Sequence, residues 1–293
     1  MSDTYFSDRE QGPRPRTEEE VGAEAWGGIV VAINSRIAAS SFGHKYPLLC
    51  EDGLGVYGCD EGAFALALRA EVPGIDWPLY GSRVPPTLVV LDLIEFCHRA
   101  VGMPMERDYH SFFSHTHLRF DVTAGQAAFR EDINRILARN GLAYELTPRG
   151  TIRRLAPPVL GEVLKRSLFS TGDAELDLML EAARTKFLDP DLSVRKEALE
   201  KLWDAWERLK TIELPTDKKQ SVAMLLAKVP GEPAFRDLID KEAAKLTEVG
   251  NTFQIRHSEI GKVPVTDSVQ IDHLFQRLFA VIWLLLKSTG RGG

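Results

Sequence analysis

The chain has 293 residues, of which 44% are hydrophobic and 27% charged. That length suits one large or two ordinary domains, and the composition excludes a disordered, collagen-like or disulfide-stapled chain. The formal net charge of -6 argues against polyanion binding through overall charge. Cys50, Cys59 and Cys97 are too few for a disulfide framework and fit a reducing compartment.

The two halves differ in composition. Residues 1–150 hold 14 Lys+Arg against 21 Asp+Glu, whereas residues 151–293 hold 22 against 21. Lysine occurs once in the first half, at Lys45, and twelve times in the second. This break predicts a mixed N-terminal domain over residues 1–157, suited to sensing or binding, and a helical bundle over 158–293. The N-terminus is polar and lacks the apolar core of a secretion signal. The longest apolar run, Leu278 to Leu286, has nine residues, well short of the roughly 20 needed to cross a bilayer. A cytoplasmic protein without a membrane partner is the expectation.

In chain order, residues 1–20 read as an irregular arm broken by Pro13 and Pro15. Thr17 followed by Glu18, Glu19 and Glu20 has the form of a helix start, with helical spacing over 18–40. Residues 41–60 are glycine-rich, and 60–72 read as a helix capped by Asp60. Prolines and Gly74 make loops of 73–86. Thr87 to Ala100 reads equally as helix or strand. Residues 125–140 form an amphipathic pattern through Phe129, Ile133, Ile136 and Leu137, ended by Asn140-Gly141. Two short strands then flank Pro148-Arg149-Gly150 as a hairpin. Helices are expected over 173–187, 193–213, 234–252 and 267–287, without solenoid repeats. On the second, Leu199, Leu202, Trp203, Trp206 and Leu209 form one stripe, with Glu197–Lys201 and Asp204–Arg208 as surface pairs. On the third, the inward stripe is Phe235, Leu238, Leu246, Val249 and Phe253. The fold class is therefore α+β, mostly α.

Four features invite a chemical reading. The run Gly53-Leu54-Gly55-Val56-Tyr57-Gly58 matches a dinucleotide-loop pattern. Its neighbours Glu51, Asp52, Asp60 and Glu61 would repel phosphate, so a glycine-rich turn is preferred. His110, His115 and His117 lie close in sequence, and the last two share a face if the segment is a strand. With a carboxylate such as Asp121 they could hold a metal. A polar cluster is the preferred reading, and no metal ligand or cofactor is assigned. The helix followed by a hairpin at 125–155 has the outline of a winged helix, in which Arg149, Arg153 and Arg154 would contact a nucleic-acid backbone. Arg256 and His257 fall where the stripe 235, 238, 242, 246, 249, 253 would continue. An arginine and a histidine together suit metal-independent RNA cleavage: imidazole moves the 2′-OH proton and guanidinium stabilises the phosphorane charge.

The segments LDLMLEAARTKFLDPDLSVRKEALEKLWDAWERLKTI (176–212) and LTEVGNTFQIRHSEIGKVPVTDSVQIDHLFQRLFAVIWLLL (246–286) resemble the C-terminal half of bacterial abortive-infection-like proteins, whose helical domain is HEPN-like. The resemblance implies a phage-defence role, a homodimer, RNA as partner and a metal-independent endoribonuclease. By it, Arg256 and His257 take the site, with Asn251 and Glu259 adjacent and Glu207 as supporting carboxylate. The class separates its arginine and histidine by several residues, whereas here they adjoin. Two alternatives follow: a non-catalytic helical module that dimerises and binds a ligand or partner, and a nucleic-acid-binding regulator using 125–155.

Overall fold

The computed structural model describes residues 5–156, 164, 169–255 and 262–292. The fold is α+β and mostly α, with ten α-helices and a small antiparallel sheet among the described residues. The chain divides into two compact units, Met1–Leu155 and Ala156–Gly293.

Unit 1 contains helices α1 (Phe6–Gln11), α2 (Ala23–Ala38), α3 (Glu61–Glu71), α4 (Thr87–Ala100) and α5 (Val122–Arg139). Its strands are β1 (Pro47–Leu49), β2 (Val56–Cys59), β3 (Met103–His110), β4 (His115–Asp121), β5 (Tyr144–Leu146) and β6 (Ile152–Arg154). The first four strands form one antiparallel sheet in the order β1-β2-β4-β3, and β5 pairs with β6 as a separate hairpin. Trp26, Ile29, Phe42, Phe64, Ile94, Phe96, Phe129 and Ile133 fill the core. The segment 87–100 is a helix because its apolar residues fall on one broad face, with Val90, Leu91, Leu93, Ile94, Phe96 and Cys97 all buried.

Two expectations for the N-terminal arm are corrected. A short helix occupies 6–11, ahead of Pro13. Thr17–Glu20 starts no helix, and α2 begins at Ala23 with Gly22 as its cap. The acidic run is held elsewhere: Glu18 N–H donates to Gly141 O (2.9 Å), and Ala143 N–H donates to Glu18 O (2.8 Å). Glu19 bonds the Arg154 guanidinium. Backbone pairing with a distant segment thus overrides a local helix-start signal.

Unit 2 contains α6 (Ala174–Phe187), α7 (Leu192–Leu209), α8 (Lys218–Ala227), α9 (Pro233–Thr252) and α10 (Ser268–Ser288). The stripe of α7 is buried as its spacing requires. Two of its charges, however, reach neighbouring segments, while Lys201 faces Asp204 within the helix at 3.9 Å. Glu197 pairs with Lys186 of α6 (2.5 Å), and Arg208 pairs with Asp173 at 2.9 Å and Glu175 at 2.5 Å. Arg195 is buried against α10, with Nη1 3.0 Å from Ser268 Oγ and 3.7 Å from Asp272. Helix α8 lacks an apolar stripe, buries only Ser221 and Leu225, and has no periodic sequence signal. Helix α10 is long and apolar enough to cross a membrane by length and composition, and half of that window is buried inside the unit. Asp60, Asp121, Asp173, Asp191, Asp217 and Asp267 each cap a helix through the side chain, an interaction typically worth about 1 kcal/mol.

The inward stripe of α9 also differs from expectation. Phe235 and Leu238 are exposed, while Ile239, Ala243, Leu246, Val249 and Gly250 face inward. The helix runs on through Gly250 to Thr252, and a Cβ at position 250 would lie 2.2 Å from Trp203 Nε1. Glycine is what lets α9 approach the buried indole. In an ordinary helix interior Gly→Ala gains about 1 kcal/mol, whereas overpacking a filled core costs about 1–3 kcal/mol. Gly250→Ala is therefore expected to destabilise the protein in denaturant unfolding. A variant as stable as the parent or more so would contradict this packing.

Candidate metal centre

The cluster begins with strand register. His110, at the end of β3, lies directly opposite His115, at the start of β4. Side chains alternate along a strand, so His117 shares the face of His115. The two-faced hairpin therefore collects three imidazoles on one side, with ring centroids 5.7 Å apart for His110–His115, 5.2 Å for His110–His117 and 5.3 Å for His115–His117. Tyr57 of β2 stacks on His115 at 4.2 Å.

The fourth member comes from the β1–β2 connection. Cys50 follows β1 and enters a tight turn, in which Gly53 N–H donates to Cys50 O and Cys50 N–H donates to Gly55 O, both at 2.9 Å. Asp52 supports the turn by accepting from Leu54 N–H at 2.9 Å. The glycines of this run have separate local reasons. Gly53 has φ = 73°, a left-handed conformation that disfavours other residues. A Cβ on Gly55 would lie 2.8 Å from His117 Cγ. The run that matches a dinucleotide-loop pattern is thus a turn and strand shaped around an imidazole.

One donor atom from each of Cys50, His110, His115 and His117 lies within 4.8 Å of the others. Cys50 and His117 are buried, and His110 and His115 are partly so. Cys50 Sγ and His110 Nδ1 are 3.5 Å apart. A tetrahedral zinc, with bonds of about 2.3 Å to sulfur and 2.0 Å to nitrogen, would set such a pair about 3.5 Å apart. The Nε2 atoms of His115 and His117 are buried without a hydrogen-bond partner among the described residues. Such atoms carry a desolvation cost that a bound ion would offset.

Carboxylates adjoin two of the imidazoles. Asp108 Oδ2 lies 3.5 Å from His117 Nδ1, and Asp52 Oδ2 lies 3.4 Å from His110 Nδ1. Burial, and then the hydrogen bond given to Asp52, raise the Cys50 thiol above its usual pKa. The same thiol, together with Leu54 N–H, holds the Asp52 carboxyl below its usual range. The other cysteines stand outside the cluster: burial pushes Cys59 up to about 11 and raises Cys97 further.

Asp121, the carboxylate proposed from sequence to complete the histidine set, instead caps α5 by accepting from Ala124 N–H at 2.9 Å. Cys50 was missed because it lies sixty positions before His110. The signals that could have found it are a cysteine just ahead of a Gly-rich turn and the acidic residue two positions on.

The remaining sequence candidates are placed as follows. Arg256, His257 and Glu259 lie outside the described residues. Asn251 is exposed on α9, one turn beyond Thr247. Glu207 is engaged by Lys210 Nζ at 2.5 Å and by Lys218. Burial opposes its ionisation, but the two ammonium groups hold its pKa below the usual value. The helix-plus-hairpin element is present, but its arginines are mostly committed. Arg154 is buried and pairs with Glu19, Arg153 pairs with Glu145 at 3.0 Å, and Arg149 is exposed at the turn. Backbone contact through Arg154 is therefore corrected: its guanidinium secures the N-terminal arm.

The two glycines of the turn give a direct test. Gly55→Ala should push the His117 ring and lower stability by about 1–3 kcal/mol, with the His117 imidazole NMR signals displaced. Gly53→Ala should cost about 1 kcal/mol through its positive φ and leave those signals in place. Equal behaviour of the two variants would contradict the close approach of Gly55 to His117. Comparisons with protein-family models, curated proteins and solved structures give no match.

Proposed function

We propose that unit 1 is a transition-metal-binding module, with zinc the ion its donors fit best, held by Cys50, His110, His115 and His117. The observation that carries this reading is the convergence of those four donors within 4.8 Å. A thiolate with three imidazoles is a borderline-soft set, suited to zinc and poorly suited to magnesium or calcium. Asp108, beside His117 Nδ1, leaves His117 Nε2 for the ion and is the kind of carboxylate partner that commonly orients a metal-bound imidazole.

Four protein donors fill a tetrahedral shell and leave no position for water or substrate. That favours a structural or regulatory role over hydrolysis. The ion would join the β1–β2 turn to the β3–β4 hairpin, two parts of the sheet that are far apart in sequence. Its binding energy would then contribute directly to the stability of unit 1.

Full-length protein purified without chelator and supplied with zinc should hold one equivalent per chain by elemental analysis. Substituted with cobalt, it should show thiolate charge-transfer absorption that Cys50→Ser removes. A chelator should lower its melting temperature. Absence of stoichiometric metal in folded protein, or unchanged stability with chelator, would overturn the proposal.

A further inference from the structure

Unit 2 carries a cavity of about 670 Å³ between α8 and α9, floored by the C-terminal end of α7. That volume is in the usual range for small-molecule sites, which are mostly apolar with a few placed polar groups. One wall presents Lys218, Lys219, Val222, Ala223 and Leu226, and the other presents Asp240, Ala243, Ala244 and Thr247. At 1.5 Å per helical residue these walls run for about 10–12 Å. The result is a trough with alanines and aliphatic side chains along its length.

Its polar groups are unevenly placed. At one end Lys210, with only 6% of its side chain exposed, lies 5.2 Å from the Trp206 ring and reaches Thr247 Oγ1 at 3.3 Å. Lys210 and Lys218 share the single carboxylate of Glu207, and exposed Lys219 adds a further positive charge. That end therefore carries three ammonium groups against one carboxylate. Trp206 Nε1 is buried without a hydrogen-bond partner among the described residues. At the other end Arg236 is turned away, its Nε donating to Val229 O at 2.9 Å, with Asp237 beside it.

We infer that this trough binds a carboxylate with a medium-length aliphatic chain, its head at Lys210, Lys218 and Lys219 and its chain along Ala223, Ala243 and Ala244. The excess of positive charge at one end selects an anionic head, and the apolar walls select the chain. This site is independent of the metal reading of unit 1.

The test is calorimetric titration of the full chain with decanoate, beside decylamine. Saturable binding with one site per chain is expected, with decylamine at least tenfold weaker. Lys219→Glu should weaken decanoate at least fivefold. Ala223 and Ala244 are exposed, so Ala244→Phe should fill the trough and remove binding while leaving the melting temperature unchanged. Lack of saturable binding, equal affinity for the amine, or decanoate binding undiminished in a folded Ala244→Phe variant would overturn the inference.

Discussion

The pairing of His110 with His115 across the β3–β4 hairpin determines the character of unit 1. A register slip of one residue would send every side chain of the moved strand to the opposite face. The three imidazoles would then separate, and the approach of Gly55 to His117 would have no purpose. With the register as it is, the β1–β2 turn must bring Cys50 to the same place, and Gly53 and Gly55 allow it to do so. Buried imidazole nitrogens without partners are costly, so the cluster makes physical sense as a site prepared for an ion.

Unit 2 solves a different problem, that of placing charge within a helical bundle. Buried Arg195 faces Ser268 and Asp272 across two helices. Lys210 is buried where desolvation lowers its pKa, and Glu207 counters that effect. Removing one member of such a buried pair typically costs about 3–5 kcal/mol, far more than an exposed pair contributes. Glu207 is therefore tied to the organisation of the α7–α8–α9 region through Lys210 and Lys218. The same arrangement leaves the positively charged end of the trough.

Much of the architecture was legible in the sequence because it is local. The α7 stripe, the Asp60 cap and the β5–β6 hairpin are all written in neighbouring residues, and so is the mostly helical α+β class. What was illegible depends on distant partners. Glu18 looked like the first turn of a helix but pairs its backbone with residues 141 and 143. Phe235 and Leu238 fit an apolar spacing, yet the close approach at Gly250 is part of a packing that turns them outward. The histidine set was visible through its spacing. Its fourth member was hidden by sixty intervening residues, and Asp121 fitted the chemistry while serving as a helix cap.

The central claim is that one thiol and three imidazoles form a single metal-binding shell. X-ray absorption spectroscopy of the zinc-loaded full chain tests it most directly. The account predicts a four-coordinate shell with one sulfur at about 2.3 Å and three nitrogens at about 2.0 Å. A shell without sulfur, or one with several sulfurs, would contradict it.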